Sequence, residues 1–359
     1  MNLIGEHTDY NDGLVLPMAI NRWTCVAIAA NDVSHSRLVS DDLNQCCRID
    51  LRAPIEPVDR ASDESFANHI LGMASAIYEL GASPINVDMM IHSTLPIGAG
   101  LSSSASLEIS AGLALSAMCN QPVSREVLAR MAQRTEHEFV GTPCGIMDMT
   151  IVAGARKDSA MLLDCRTMDL EYIPMPTAED LTVLIVDTGV RHDLRDGAYA
   201  DRRESCGQAA SMLGVTSLRD VTIDQLSTAA LPPLLMRRAE HVVNEIERTR
   251  QFADALQSRS YTQLGKLMEA SHRSLHDLFE VSCDALDAVV KTASAMRGDG
   301  GVCGARMTGG GFGGCVIILA QPSHAESIAK AVALDFEAQF ARTPAIYQTN
   351  AVGAAGRDS

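Results

Sequence analysis

The 359-residue sequence predicts an α+β protein in two lobes, and three observations lead there. Apolar runs of strand length are interspersed with longer stretches of helical periodicity, without strict strand–helix alternation and without an internal repeat. The chain is about twice a typical ~150-residue domain. The segment Ile173-Pro174-Met175-Pro176-Thr177 carries two prolines that resist regular structure and reads as a connection. The domains are expected at 1–172 and 173–359.

In chain order, the apolar runs Gly13 to Ile20 and Thr24 to Ala30, parted by Asn21-Arg22, read as a hairpin or adjacent strands. Ile85-Asn86-Val87-Asp88-Met89-Met90-Ile91 alternates as a half-buried strand does. Helical periodicity runs from Ser103 to Met118 and from Arg125 to Phe139. Strand-like segments return at Ala160–Leu163 and Leu181–Val186. From Ala198 to Arg297 the pattern is mostly helical, interrupted near Gly214 and at Leu231-Pro232-Pro233. The C-terminal part reads as a glycine-rich loop (309–314), a strand (315–320) and a helix from His324 to Phe340.

Twenty-nine Lys and Arg against 45 Asp and Glu leave a net charge of −16, which argues against nucleic acid or an anionic membrane as partner. A small anionic ligand needs only a local positive site. The ten cysteines form no C-x-x-C pair and read as buried, reduced thiols. With no basic leader and no run of ~18 apolar residues, the chain is expected in the cytoplasm.

Four clusters can carry chemistry. In Pro96-Ile97-Gly98-Ala99-Gly100-Leu101-Ser102-Ser103-Ser104-Ala105-Ser106, a small-residue loop follows a strand and opens a long helix. Glycines let the backbone approach a ligand, and the helix start offers free amides and positive dipole, which together cradle phosphate. No Gly-Lys-Ser/Thr follows, so it is not a Walker A loop; a serine-rich helix cap is the competing reading. Gly309-Gly310-Gly311-Phe312-Gly313-Gly314 has G-x-G-x-x-G spacing but precedes a strand, which rules out a dinucleotide fingerprint. Such a loop suits backbone packing against the phosphate loop or the substrate.

Gly5-Glu6-His7-Thr8-Asp9-Tyr10-Asn11 gathers carboxylates and an imidazole suited to the hydroxyls of a polyol, or else forms an acidic surface turn. In Glu136-His137 and Cys144-Gly145-Ile146-Met147-Asp148, Asp148 sits between apolar residues, where a carboxylate serves as base, orienter or helix cap. His272 and His276 are spaced i,i+4, but Arg273 stands where a zinc protease needs Glu, so they read as surface or interhelical packing.

Taken together these motifs resemble the galactokinase family of the galactose/homoserine/mevalonate/phosphomevalonate (GHMP) kinase superfamily. The likeness rests on Gly5–Tyr10, Gly98–Ser106, Cys144–Asp148 and Met307–Gly314, with lesser matches at Tyr199–Cys206 and Phe279–Cys283, in family order over nearly the whole chain. It implies a two-lobed GHMP-kinase fold with its active site between the lobes, and ATP-dependent phosphorylation of α-D-galactose at the C1 hydroxyl, a step of galactose catabolism in the Leloir pathway. Glu6, His7, Thr8, Asp9 and Tyr199 are then expected to bind sugar. Gly98, Ala99, Gly100, Leu101, Ser102, Ser103 and Ser104 would wrap ATP, with Ser40 touching the nucleotide. Ser104 and Glu136 would hold Mg²⁺, and Asp148 would face the C1 hydroxyl as base or orienter. The alternatives are a kinase for a relative such as N-acetylgalactosamine, or a non-catalytic sugar sensor. Oligomeric state is not legible.

Three positions depart from the family pattern. Met149 replaces Gln, and Asn11-Asp12-Gly13 replaces Asn-Gly-Gly. The family's first motif opens with an Arg two residues ahead of the position of Asn2, whereas this chain starts at Met1. The upstream reading frame is therefore expected to encode a segment resembling Gly-Arg-Val, preceded by roughly twenty residues. Without that Arg, Arg191 and Arg195 are the first candidates to supply positive charge.

Overall fold

The computed structural model describes residues 1–96, 98–191 and 197–357. It separates into two compact units. The first comprises Met1–Asn21, Gly98–Leu101 and Arg156–Val352; the second comprises Arg22–Ile97, Ser102–Ala155 and Gly353–Ser359. This differs from the expected division at 172/173, and the reason is long-range pairing. Leu14–Val15 pairs antiparallel with Leu163–Asp164, and Thr308 and Arg306 hydrogen-bond to Asn2 and Leu3. No local pattern reveals such partners.

In the first unit, the four-stranded antiparallel sheet runs Ala345–Thr349, Thr182–Asp187, Cys315–Ala320, Val302–Thr308 in spatial order. Its two central strands are buried along their whole length, which explains why they read as unbroken apolar runs. Helices Pro233–Gln257, Asp284–Ala295 and Ala325–Phe340 contribute to the core around Leu184, Val186, Val316 and Ile318. Pro233 opens its helix at a position where the missing N–H costs nothing. His272 and His276 each lie 3.2 Å from Asp287, joining the helices Tyr261–Asp277 and Asp284–Ala295.

The first unit's second sheet orders Leu14–Val15, Ser159–Asp164, Leu170–Pro174. Pro174 thus ends an edge strand opposite Ser159 rather than opening a linker, a place where its missing donor is tolerated.

The second unit holds a sheet ordered Thr24–Ala30, Val87–Ser93, Ser36–Ser40, Gln45–Ile49, with one parallel pair between Ser36–Ser40 and Val87–Ser93. Its helices are Ala67–Glu79, Ser103–Met118, Arg125–Thr135 and Met147–Gly154. The expected helix 125–139 changes character at its last turn: Glu136–Val140 is a π turn ending at Gly141.

Two sequence expectations fail on packing. The runs Gly13 to Ile20 and Thr24 to Ala30 do not form a hairpin. The first folds back on the N-terminus, with Leu3 N–H on Leu16 O at 3.0 Å, and the second pairs with Val87–Ser93. All ten cysteines are free thiols, but only Cys47, Cys206 and Cys315 are buried, while Cys25 and Cys46 are exposed on outward strand positions.

Candidate active site

The Gly5–Asn11 turn is held from inside the first unit. Gly5 has φ 98°, and its N–H donates to Glu245 at 3.2 Å. The Thr8 hydroxyl reaches Gly5 O at 2.8 Å and Leu14 O at 2.7 Å, and Thr8 is fully buried. Thr8, expected to bind sugar, thus lies where its hydroxyl closes the turn. The short turn Asp9–Asn11 follows, with Asn11 Nδ2 donating to His7 O at 2.9 Å.

Glu6 is also committed internally. Its carboxylate accepts from Asn2 Nδ2 at 2.6 Å, Thr308 Oγ at 3.0 Å and Gly309 N–H at 2.9 Å, and pairs with Arg306 at 2.8 Å. Glu6 and Arg306 are essentially inaccessible, at 2% and 0% side-chain exposure. Burial pushes the Glu6 carboxyl up, opposed by Arg306 and the Gly309 amide. Sequence reasoning missed Arg306, although a lone cation in the apolar strand Val302–Thr308 demands a buried anion. It also missed Glu245 and His241. Glu245 accepts from Ser271 at 2.5 Å and Arg248 at 2.6 Å; burial pushes its carboxyl up, but Arg248, His241, Arg306 and Ser271 together outweigh burial and hold it down at about 2.

His7, at φ 62°, is buried against Phe279 and Tyr199, with ring centroids 4.7 and 5.4 Å away. Burial, with His241 nearby, holds its pKa down at about 3, so the ring is neutral near pH 7. Its Nε2 lies 3.2 Å from Gly310 O, which can only accept, so Nε2 carries the proton and Nδ1 accepts from Tyr10 OH at 2.8 Å. Both nitrogens are thus used by the protein, leaving ring faces rather than polar atoms for a ligand. Asp9, Tyr10 and Tyr199 are the partly open positions of this group. Asp9 accepts from Tyr10 N–H at 3.0 Å, and the Tyr10 and Tyr199 rings meet edge to face at 5.7 Å.

The serine-rich motif is divided between the units; its Ile97 lies outside the described residues. Gly98–Leu101 rests on the second glycine cluster. A Cβ on Gly314 would meet Ala99 O at 2.8 Å, and one on Gly309 would meet Gly100 O at 3.0 Å. Bare backbone is what permits this approach. Arg191 sits alongside: Asp187, itself buried, grips its guanidinium with two 2.7 Å bonds, and its Cδ lies 3.2 Å from where a Cβ on Gly98 would stand. Arg195 lies outside the described residues.

In the second unit, Ser102 precedes the helix Ser103–Met118 in a left-handed conformation, φ 62° and ψ 35°, and caps nothing. Its hydroxyl instead donates to Asp148 Oδ1 at 2.6 Å. Asp148 lies in the first turn of Met147–Gly154 without being its cap, so the helix dipole favours its negative charge. The first ladder bond of the serine helix is Ser106 N–H to Ser102 O, which leaves the amides of Ser103 and Ser104 ahead of it, as an anion site requires. Ser40 ends a strand, is buried and donates to Asp42 at 3.2 Å.

Ser104 hydrogen-bonds to Glu136, whose carboxyl is pushed up to about 8 by burial and by Glu108. Glu108 and His69, neither foreseen from sequence, complete the cluster, with His69 Nδ1 2.8 Å from Glu108 Oε1. Burial raises Glu108 far above the usual carboxyl range, and lowers His69. The hard oxygen donors of Ser104 and Glu136, with Glu136 repelled by Glu108, fit a divalent cation beside Ser104 and Glu136.

Comparison with known proteins places these features in context. Residues 1–30 match the galactokinase galactose-binding signature, 68–155 the GHMP kinases N terminal domain, and 252–338 the GHMP kinases C terminal domain. The chain is 39% identical over 343 residues to the galactokinase of Haemophilus influenzae, covering 94% of this chain and 87% of that one. Its structure is similar to that of Lactococcus lactis galactokinase complexed with galactose, with TM-score 0.92, 30% identity, and 98% and 92% of the two chains covered. Mevalonate kinase of Methanococcus jannaschii shares the fold at TM-score 0.70 and 19% identity, over 98% and 96% of the chains.

Proposed function

We infer, from a chain that belongs to the galactokinase family, that it transfers the γ-phosphoryl group of ATP to the C1 hydroxyl of α-D-galactose, releasing galactose 1-phosphate and ADP. The observation that carries the mechanistic reading is the 2.6 Å bond from Ser102 to Asp148, which aims a carboxylate at the start of the serine helix. Phosphoryl transfer asks for positioning and charge neutralisation more than for covalent chemistry. In this reading the second unit offers the Ser103 and Ser104 amides to phosphate, while the first offers the Gly98–Leu101 backbone and the positive charge of Arg191, steadied by Asp187. The C1 oxygen forms a bond to the γ-phosphorus as the bond to the ADP oxygen breaks, and Asp148 accepts the hydroxyl proton. Ser102 keeps the Asp148 carboxylate oriented.

Ser104 and Glu136 would hold Mg²⁺, which supplies neutralisation of phosphate charge when bound. Asp9, Tyr10 and Tyr199 line the sugar, while Glu6 and Thr8 brace the turn that carries them. The reaction's need for ATP makes the cytoplasm the proposed compartment; among the described residues no helix is long and apolar enough to cross a membrane.

Coupled ADP-release assays with galactose, glucose and N-acetylgalactosamine test the reading. A site that pairs each hydroxyl rejects an epimer by leaving polar groups unpaired. Galactose is expected to give by far the highest kcat/KM. Preference for N-acetylgalactosamine would reassign the substrate, and galactose binding without ADP release would mark a sensor.

A further inference from the structure

The second unit contains a cluster that the reaction above uses only in part. His69, Glu108 and Glu136 bring one ligand atom each to within 4.8 Å of one another. They come from separate elements: the helix Ala67–Glu79, the helix Ser103–Met118 and the π turn Glu136–Val140. The approach is built in. Gly72, one turn after His69, lets the first helix touch Thr135, where a Cβ would stand 2.4 Å from Thr135 Cγ2. Glu136 follows directly, at a π turn, a distortion frequent at functional sites.

The charge balance is unusual. Glu108 is fully buried and Glu136 is 4% exposed, yet among the described residues no lysine or arginine pairs with either. The His69 imidazole and the Ser104 hydroxyl face them, the two carboxyls lie within hydrogen-bond reach of each other, and Asp148 adds a further negative charge on the Glu108 side. Glu108 Oε2, on a side chain with no exposure, accepts no hydrogen bond. Two such carboxylates in a dry site call for a cation.

We propose that His69, Glu108 and Glu136 form a binding site for a divalent transition-metal ion, distinct from the Ser104–Glu136 oxygen pair and sharing Glu136 with it. An imidazole nitrogen with two carboxylates selects zinc, cobalt or manganese over magnesium, which prefers oxygen alone. Occupancy draws Glu136 away from Ser104, so zinc inhibits the kinase. That consequence rests on the role given to Glu136 above; the binding itself does not.

The test is a Co²⁺ titration of the whole chelator-treated chain, without nucleotide or Mg²⁺, followed by visible absorption. The parent is expected to take up one equivalent. Affinity should fall at least tenfold in His69→Phe and Glu108→Gln and stay unchanged in Ser104→Ala, with circular dichroism melting checking that each variant is folded. Zn²⁺ should displace Co²⁺ and inhibit the parent at fixed Mg·ATP, but not His69→Phe. A folded parent that takes up no stoichiometric Co²⁺ overturns the proposal whatever the variants do, as does unchanged affinity in folded His69→Phe. Intact Co²⁺ uptake in a chain without galactokinase activity would sink the proposed function and leave this site standing.

Discussion

The Ser102 hydroxyl donates to the Asp148 carboxylate across 2.6 Å, and it does so from a left-handed backbone. A non-glycine residue there costs roughly 1–2 kcal/mol. The same residue forgoes the usual serine cap, worth ~1 kcal/mol. Local stability has been set aside to aim one hydroxyl at one carboxylate, a pattern expected where an acceptor must be oriented.

Asp148→Asn should therefore lower kcat by ~10²-fold or more, the range of general-base effects, with galactose affinity and melting temperature nearly unchanged. Ser102→Ala removes only the orienting bond, about 1.4 kcal/mol or roughly tenfold. Steady-state kinetics on both variants decide the matter. Turnover of Asp148→Asn within a few-fold of the parent would remove Asp148 from the mechanism.

The saturated carboxylate of Glu6 leads to a contrast between two acidic residues of the same turn. Glu6→Gln leaves Arg306 buried without its anion, a loss of about 3–5 kcal/mol, and should appear first as a lower melting temperature. Asp9→Asn, at a partly open position, should weaken galactose binding with little change in melting. Calorimetry of binding and of unfolding on the two variants separates a strut from a ligand. Equal melting temperatures with equal losses of galactose affinity would contradict the assignment.

Ser104→Ala removes an oxygen donor beside Glu136, at the proposed phosphate and metal site. Its KM for Mg·ATP should rise several-fold, while galactose binding measured without nucleotide stays as in the parent. A parallel fall in sugar affinity would mean that the serine supports the fold rather than the nucleotide.

The sequence reveals whatever is local. The helix Ser103–Met118 is bounded as its periodicity indicates, and a strand, Cys315–Ala320, follows the glycine cluster as its context indicates. Contacts between distant segments are hidden. Arg306 meets Glu6 across 300 positions, and Leu14–Val15 finds Leu163–Asp164 rather than the run beside it. Glu245, flanked by Glu247 and Arg248, looks like part of a solvated helical face, yet it is fully buried because the Gly5 amide, Ser271 and Arg248 converge on it. His69, Glu108 and Glu136 lie on three separate elements with no common spacing. Charged residues whose partners are supplied by tertiary packing carry no signature of it in their neighbours.

His241 tests whether that hidden network sets the acid response of the Gly5–Asn11 turn. Its Nε2 donates to Glu6 O at 3.2 Å, and its Nδ1 accepts from Ser274 at 2.8 Å, both as a neutral ring. Burial holds its pKa down at about 4, against 6.5 in the unfolded chain. Between those values the unfolded chain binds the extra proton, so this histidine's contribution is fully present above pH 6.5 and is lost as pH falls toward 4, at ~1.4 kcal/mol per unit. His7 acts in the same direction, while the raised carboxyls of Glu6, Glu108 and Glu136 act in the opposite one, so the parent's pH profile alone mixes signs. His241→Gln keeps a donor and an acceptor and cannot titrate. The difference in unfolding free energy between parent and variant, from urea melts, should shift by about 2 kcal/mol against the parent between pH 7 and 5. A difference that stays constant over that range would show that His241 titrates alike in both states, and that the turn above it owes its acid response to other groups.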